Sequence, residues 1–244
     1  MRNIWTIARR EYDQYFISPI AYVVAVALLF ILGGYFAFLL VYANQNFGFV
    51  PDVTVINDLF AFLLLLSIPA LTMRVLADET RTGTIELLLT APVRDFELVA
   101  GKWLGSFLFV FTLIIVTGIF PLILRTQITP GLDWKLTLSS YLGLILLSAA
   151  FVAIGVGLSA VFSNQVTAFI TTIAVLITLW WLIGIPANVL PTGGEFFRYL
   201  QLNTHFANAL NAGSLELSNL VYFFSLIAIG LFTGTVAIEV RRWK

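Results

Sequence analysis
The chain has 244 residues, 60% hydrophobic and 11% charged, with a mean hydropathy of +0.98, which lies outside the soluble globular range and indicates an integral membrane protein. Its 13 basic residues balance 13 acidic ones, so it lacks the cationic surplus with which nucleic-acid-binding proteins neutralise phosphates. With no cysteine and a single histidine, His205, disulfide scaffolds, thiolate metal sites and His-based zinc clusters are excluded as well.

At the N-terminus, Asn3 can cap a helix in which Ile4, Ala8, Tyr12 and Tyr15 recur on one face while Arg2, Arg9, Arg10 and Asp13 occupy the rest. The expected element is an interfacial helix over residues 1–18, lying along the inner leaflet. It breaks at Ser18-Pro19 because proline disfavours helix at the residue before it. A twin-arginine export signal at Arg9-Arg10 is the alternative. Glu11 and Asp13, an overlong apolar run and the lack of a small-residue cleavage site argue against it.

Charge-free windows then predict six transmembrane helices, at about 20–43, 57–76, 101–124, 138–162, 168–186 and 218–238, each near the roughly 20 residues that cross a bilayer. The window 136–194 is too long for one helix and divides at Ser163-Asn164-Gln165. Asp58 and Arg74 bracket the second span and are expected near opposite interfaces, with Arg74 snorkelling. Between the fifth and sixth spans, Pro186, Pro191 and Gly193-Gly194 punctuate a segment where Phe196, Phe197, Leu200 and Leu202 alternate with polar residues. This reads as a re-entrant or amphipathic hairpin over 187–217 at the outer face. His205 and Glu216 within it have no third ligand or nucleophile around them, so interfacial packing is the expected role.

Lys and Arg sort the loops into two sides. The termini, the 77–100 loop and the flanking Arg74 and Lys102 account for ten basic residues, against Arg125, Lys135 and Arg198 on the other side. Both termini are therefore expected in the cytoplasm. Tyr42, Trp134, Trp180, Trp181 and Tyr222 would mark the outer interface, and Trp5, Tyr22, Trp103 and Trp243 the inner one.

The most polar stretch runs from Arg74 to Glu97, and Leu87-Leu88-Leu89 sit in its middle. Gly83 admits a conformation other residues resist. Thr84 can cap a short helix, Glu86 suits its positive end, and Pro92 stops it. Asp95 can cap the helix that follows. Three leucines carry up to about 1.5–3 kcal/mol each on full burial, and from physics alone they could lie on the inner leaflet, under their own bundle, or in a partner.

The pattern Arg81-x-Gly83-Thr84-x-Glu86-x-Leu88 followed by Ala91-Pro92 resembles the coupling loop of ABC-2-type permeases, the membrane subunits of ABC transporters. The resemblance extends over nearly the whole chain. Trp5 to Glu11, Ser18 to Tyr22, His205-Phe206, Tyr222-Phe223 and Arg241-Arg242-Trp243 are similar to the branch containing the gliding-motility-associated permease. It implies one all-α transmembrane domain over 1–244, with a cytoplasmic coupling helix that docks on a separate ATPase subunit. The coupling residues would be Arg81, Gly83, Thr84, Glu86, Leu87, Leu88, Leu89 and Pro92. It further implies two ATPase copies, which hold the ATP and magnesium, and a second permease chain, identical or not, in a prokaryotic plasma membrane.

The chain itself is read as non-enzymatic and without a cofactor. Its only Gly-Lys, Gly101-Lys102, has Phe96 where a P-loop needs its first glycine and Trp103 where it needs a hydroxyl. An intramembrane enzyme built on Ser67, Ser106, Ser148 or Ser159 would need a base at mid-depth, and no His or acid stands there. Spans without mid-depth charge also disfavour a proton relay or ion pathway. They suit an amphipathic or lipid-like substrate, or force transmission to an extracytoplasmic partner. The alternative is a non-transporting membrane scaffold that binds a partner through the same leucines.

Overall fold
A computed structural model of the chain describes residues 2–46, 51–83, 93–127, 131–189 and 193–242. Among these, six helical stretches are long and apolar enough to cross a membrane, and no strand occurs. In chain order the helices are α1 (Arg2–Tyr15), α2 (Pro19–Gln45), α3 (Val53–Thr72), α4 (Ala77–Thr82), α5 (Asp95–Thr117), α6 (Ile119–Gln127), α7 (Trp134–Val161) and α8 (Gln165–Trp180). After a 3₁₀ turn come α9 (Ile185–Val189), α10 (Gly194–Leu200), α11 (Leu202–His205), a π-helical turn (Phe206–Leu210) and α12 (Leu217–Arg242). The spans fall where the charge-free windows place them, and the fourth and fifth divide at Ser163 and Asn164.

Their starts, however, precede the apolar windows. Asp52, Asp133 and Asn164 accept hydrogen bonds from backbone N–H groups of the first turns of α3, α7 and α8, so these helices begin at Val53, Trp134 and Gln165 rather than at 57, 138 and 168. A polar cap satisfies the orphan amides and carries the helix about a turn beyond its hydrocarbon stretch. Likewise α5 starts at Asp95, not at 101, and α12 runs to Arg242 rather than stopping at 238.

The centre of the bundle is α7, packed against α12, α3, α5 and α8. Of its most apolar window 83% is buried, against 22% for α2, so α2 is peripheral. Small residues make this centrality geometrically feasible. A Cβ on Gly230 of α12 would come within 2.5 Å of the Ala153 backbone on α7, a backbone approach that only small residues permit.

The N-terminal helix is satisfied by protein rather than by a lipid surface alone. Ala8 and Tyr15 are buried against α5, where a Cβ on Gly101 would meet Ile7 at 2.7 Å and one on Gly105 would meet the Ala8 carbonyl at 2.6 Å. Tyr15 Oη donates to the Leu71 carbonyl at 3.1 Å and also bonds Ser106 Oγ at 3.0 Å. Asn3 lies inside α1 instead of capping it, and its Nδ2 donates to Glu97 Oε2. Two predicted interfacial tryptophans face inward as well. Trp180 is buried against Phe151 and Phe206, and Trp103 Nε1 donates to the Ala149 carbonyl at 3.0 Å. Each finds a protein partner for its ring or its N–H, as buried tryptophans do.

At the end opposite the termini, the segment after α8 turns back into the bundle. Leu202, Phe206 and Leu210 are fully buried, and Phe206 and Leu210 close over Gly143 of α7. The segment expected as an outer hairpin is thus a cap packed into the bundle and built on the π-helical turn.

Candidate functional site
The loop singled out by its leucines has two roots. Thr84, Ile85, Glu86, Leu87, Leu88, Leu89 and Pro92 lie outside the described residues, whereas Arg81, Gly83 and the stretch 93–127 are described. The first root descends from α3. Rather than extending unbroken through Arg74, the helix ends at Thr72, a turn over Met73–Leu76 intervenes, and α4 begins at Ala77. Ser159 of α7 holds that break: its Oγ donates to the Met73 carbonyl at 3.2 Å and accepts from the Leu76 and Ala77 amides, both at 3.1 Å. One hydroxyl thereby satisfies three backbone groups freed by the interruption.

Within α4, Asp78 Oδ1 accepts from Arg81 at 3.0 Å and from Gln165 Nε2, the first residue of α8, at 2.6 Å. Gly83 then ends the helix at φ +74°. This left-handed conformation costs a residue with a Cβ roughly 1–2 kcal/mol, which accounts for glycine here.

The second root is the start of α5. Its N-cap is Arg94, not Asp95, and Glu97 Oε2 accepts from the Arg94 amide at 3.2 Å, one half of a capping box. Asp95 is the first helical residue and pairs with Arg242 Nη2 at 2.6 Å. Arg241 Nη2 donates to the Val161 carbonyl at 3.1 Å. Two acids in the first turn complement the positive end of the helix, and both are also tied across space: Asp95 to α12 and Glu97 to Asn3 of α1.

Between the two roots lies Lys102, which the residue pattern marks only as a basic flank of the third span. Its side chain is 6% exposed, and Nζ sits 3.1 Å from Glu11 Oε2, 2.8 Å from Glu79 Oε1 and 2.9 Å from the Val75 carbonyl. Three donors meet three acceptors, the condition under which a buried ammonium is tolerated. Lys102 therefore joins α1, the α3–α4 turn, α4 and α5 at one point. The available signal was Gly101-x-x-x-Gly105 around it, a spacing that lets a second helix close on this face. Arg74, expected to snorkel, instead donates from Nη2 to Ser18 Oγ at 2.7 Å.

The opposite end holds a second polar cluster. Asn211 donates from Nδ2 to the Thr54 carbonyl at 2.9 Å and to Asp58 Oδ1 at 2.8 Å, and accepts from Ser140, which in turn accepts from Asn57. His205 is held by packing: its ring stacks on Tyr222, with Nδ1 2.7 Å from Asn219 Oδ1 and Nε2 2.6 Å from the Tyr199 carbonyl. Glu216 accepts from Ser218 instead of meeting His205. Among the described residues no cluster of three or more metal-ligating side chains occurs.

A search of curated proteins finds no match. A family model described as ABC-2 family transporter protein matches residues 5–238, a stretch that takes in most of the N-terminal helix, five candidate spans whole and most of the sixth, both loop roots and the cap. The chain belongs to the ABC-2 transporter family.

Proposed function
We propose that the chain is the permease subunit of an ATP-driven ABC transporter, moved by a separate ATPase subunit that docks on the 84–92 loop. In this reading Leu87, Leu88 and Leu89 fill an apolar groove on the ATPase, while Glu86 and Arg81 set its register. Gly83 and Pro92 bound the docking element. ATP and magnesium belong to the ATPase, present in two copies against a pair of permease chains. Both termini and the loop face the cytoplasm of a prokaryotic cell.

The observation that supports this reading is the anchorage of the loop. Its two roots are fastened to α1, α5, α7, α12 and the start of α8 through Lys102, Asp78, Ser159, Glu97 and Asp95. A loop that merely rested on lipid would need no such fixture, whereas a lever that receives force does. The far end of the same span, α3, is bonded through Asn57 and Asp58 to Ser140 and Asn211. Displacement at the loop would therefore reach the cap through one helix, to export an amphipathic or lipid-like substrate or to deliver force outward.

Glu86→Lys and Leu88→Asp, made separately in the assembled complex, are expected to lower co-purification of the ATPase at least about tenfold, the loss of a desolvated apolar or charged contact. Membrane insertion should be unchanged. Undiminished association and unchanged permease-dependent ATPase activity in both variants would remove the loop from the docking role.

A further inference from the structure
A cavity of about 320 Å³ opens at the termini end, between the last turn of α1, the start of α2 and the α3–α4 junction. Arg74 and Lys102 line it together with Glu11, Asp78, Glu79 and Gln14. Opposite charges share this space without all pairing across it. Lys102 closes on Glu11 and Glu79, and Asp78 is drawn to Arg81 and Gln165. Arg74 stands four residues before Asp78, a spacing at which helical ion pairs form. It turns instead to Ser18, and no carboxylate among the described residues is within ion-pair distance of it.

This leaves matching vacancies in the hydrogen bonding. A guanidinium has five N–H donors in a fork that suits phosphate, and half-buried Arg74 uses one group of that fork on Ser18. Arg81 and Gln165 both use Asp78 Oδ1, and Lys102 uses Glu11 Oε2. Asp78 and Glu11 both line the cavity, and Asp78 Oδ2 and Glu11 Oε1 take no part in these bonds. The cavity offers a phosphate site and an ammonium site side by side. Next to it, at the α1–α2 junction, Phe16, Ile17 and Ile20 are exposed, an apolar surface on which acyl chains can lie.

We propose that this cavity holds the headgroup of a phospholipid bearing a primary amine, with its phosphodiester on Arg74 and its ammonium on Asp78 and Glu11. A choline headgroup lacks N–H donors and leaves those oxygens unpaired; a glycerol headgroup supplies no cation. The proposal needs only a membrane protein with this fold. It is independent of the loop's docking role, so either can fail without the other.

The test uses full-length protein in nanodiscs containing equal amounts of phosphatidylethanolamine, phosphatidylcholine and phosphatidylglycerol, extracted in mild detergent, with co-purifying lipid counted by native mass spectrometry. Phosphatidylethanolamine should be retained at least about tenfold over phosphatidylcholine, the scale of one charge-assisted hydrogen bond. Arg74→Gln should lower retention of phosphatidylethanolamine and phosphatidylglycerol alike, and Asp78→Asn that of phosphatidylethanolamine alone. The assignment falls if the native protein retains the three lipids equally, if Arg74→Gln leaves phosphatidylethanolamine unchanged, or if Asp78→Asn does not separate the two lipids. Displacement of the bound lipid by an equal concentration of soluble glycerophosphoethanolamine would reassign the cavity to a free solute and overturn the lipid. Should Arg74→Gln not insert, the comparison of lipids on the native protein still decides.

Discussion

At the end that carries the termini, α1, α4, α5 and α12 are joined by long charged side chains: Lys102 to Glu11 and Glu79, and Arg242 to Asp95. At the opposite end, α3, α7 and the π-helical turn are joined chiefly by short amides and hydroxyls, Asn57, Ser140 and Asn211, with the single carboxylate of Asp58. The two chemistries hold differently. Lysine and arginine reach their partners through several rotatable bonds and can keep them while backbones shift. Asparagine and serine have little reach, so their bonds fix the distance between the backbones that carry them. A molecule pushed at one end and required to keep register at the other is well served by this division, which is how the proposed coupling would use it.

The comparison is broken most severely at Lys102. Replacing it with Met leaves two carboxylates facing each other in a largely buried site, at a cost of about 3–5 kcal/mol, to be read as a lowered unfolding midpoint in detergent. Adding Glu11→Gln and Glu79→Gln should recover most of that loss, because neutral groups can stand together where charges cannot. If the triple variant is as unstable as Lys102→Met, packing rather than charge holds this corner. At the other end Asn211→Leu deprives the Thr54 carbonyl, Asp58 and Ser140 of a partner. The expected loss is about 1–2 kcal/mol, accompanied by faster proteolysis within 193–217. Arg242→Gln gives the smallest effect, about 0–1 kcal/mol, since its side chain is 42% exposed. That effect should vanish in high salt, whereas the Lys102 effect persists, because screening acts on exposed pairs far more than on buried ones.

Much of this architecture is legible in the residues alone. Six spans, the division at Ser163, the N-terminal helix with its Ala8 and Tyr15 face, and the punctuated segment before the last span all follow from where charges, prolines and glycines interrupt apolar runs. Helix starts were displaced because a charge-free window ends at its first charge, while a helix begins at its cap; Asp52 and Asp133 lie outside the windows they initiate, and Asn164 caps its helix from inside the 136–194 window, where that window divides. Trp103 and Trp180 were misplaced for a related reason: an aromatic near a span's end suits either the interface or a neighbouring helix, and its own segment does not distinguish them. Of the loop residues, Arg81 and Gly83 could be followed into the structure, and they stand at the helix end that the turn chemistry implied.

Residue order alone is enough to make this a multi-span membrane protein with one anomalous apolar triplet in a charged stretch. Span length, charge balance and turn chemistry are local quantities, and they suffice for that. Only the tertiary structure decided that Lys102 is buried, that Asp95 and Glu97 tie the loop's second root to α12 and α1, and that α3 links the loop to the Asn211 cluster. Those facts depend on which helices approach one another. Glycines 101 and 105 permit the approach, but a partner 91 residues away in the chain is chosen by packing, where the free energy of burying a charge is met only once all its acceptors are assembled.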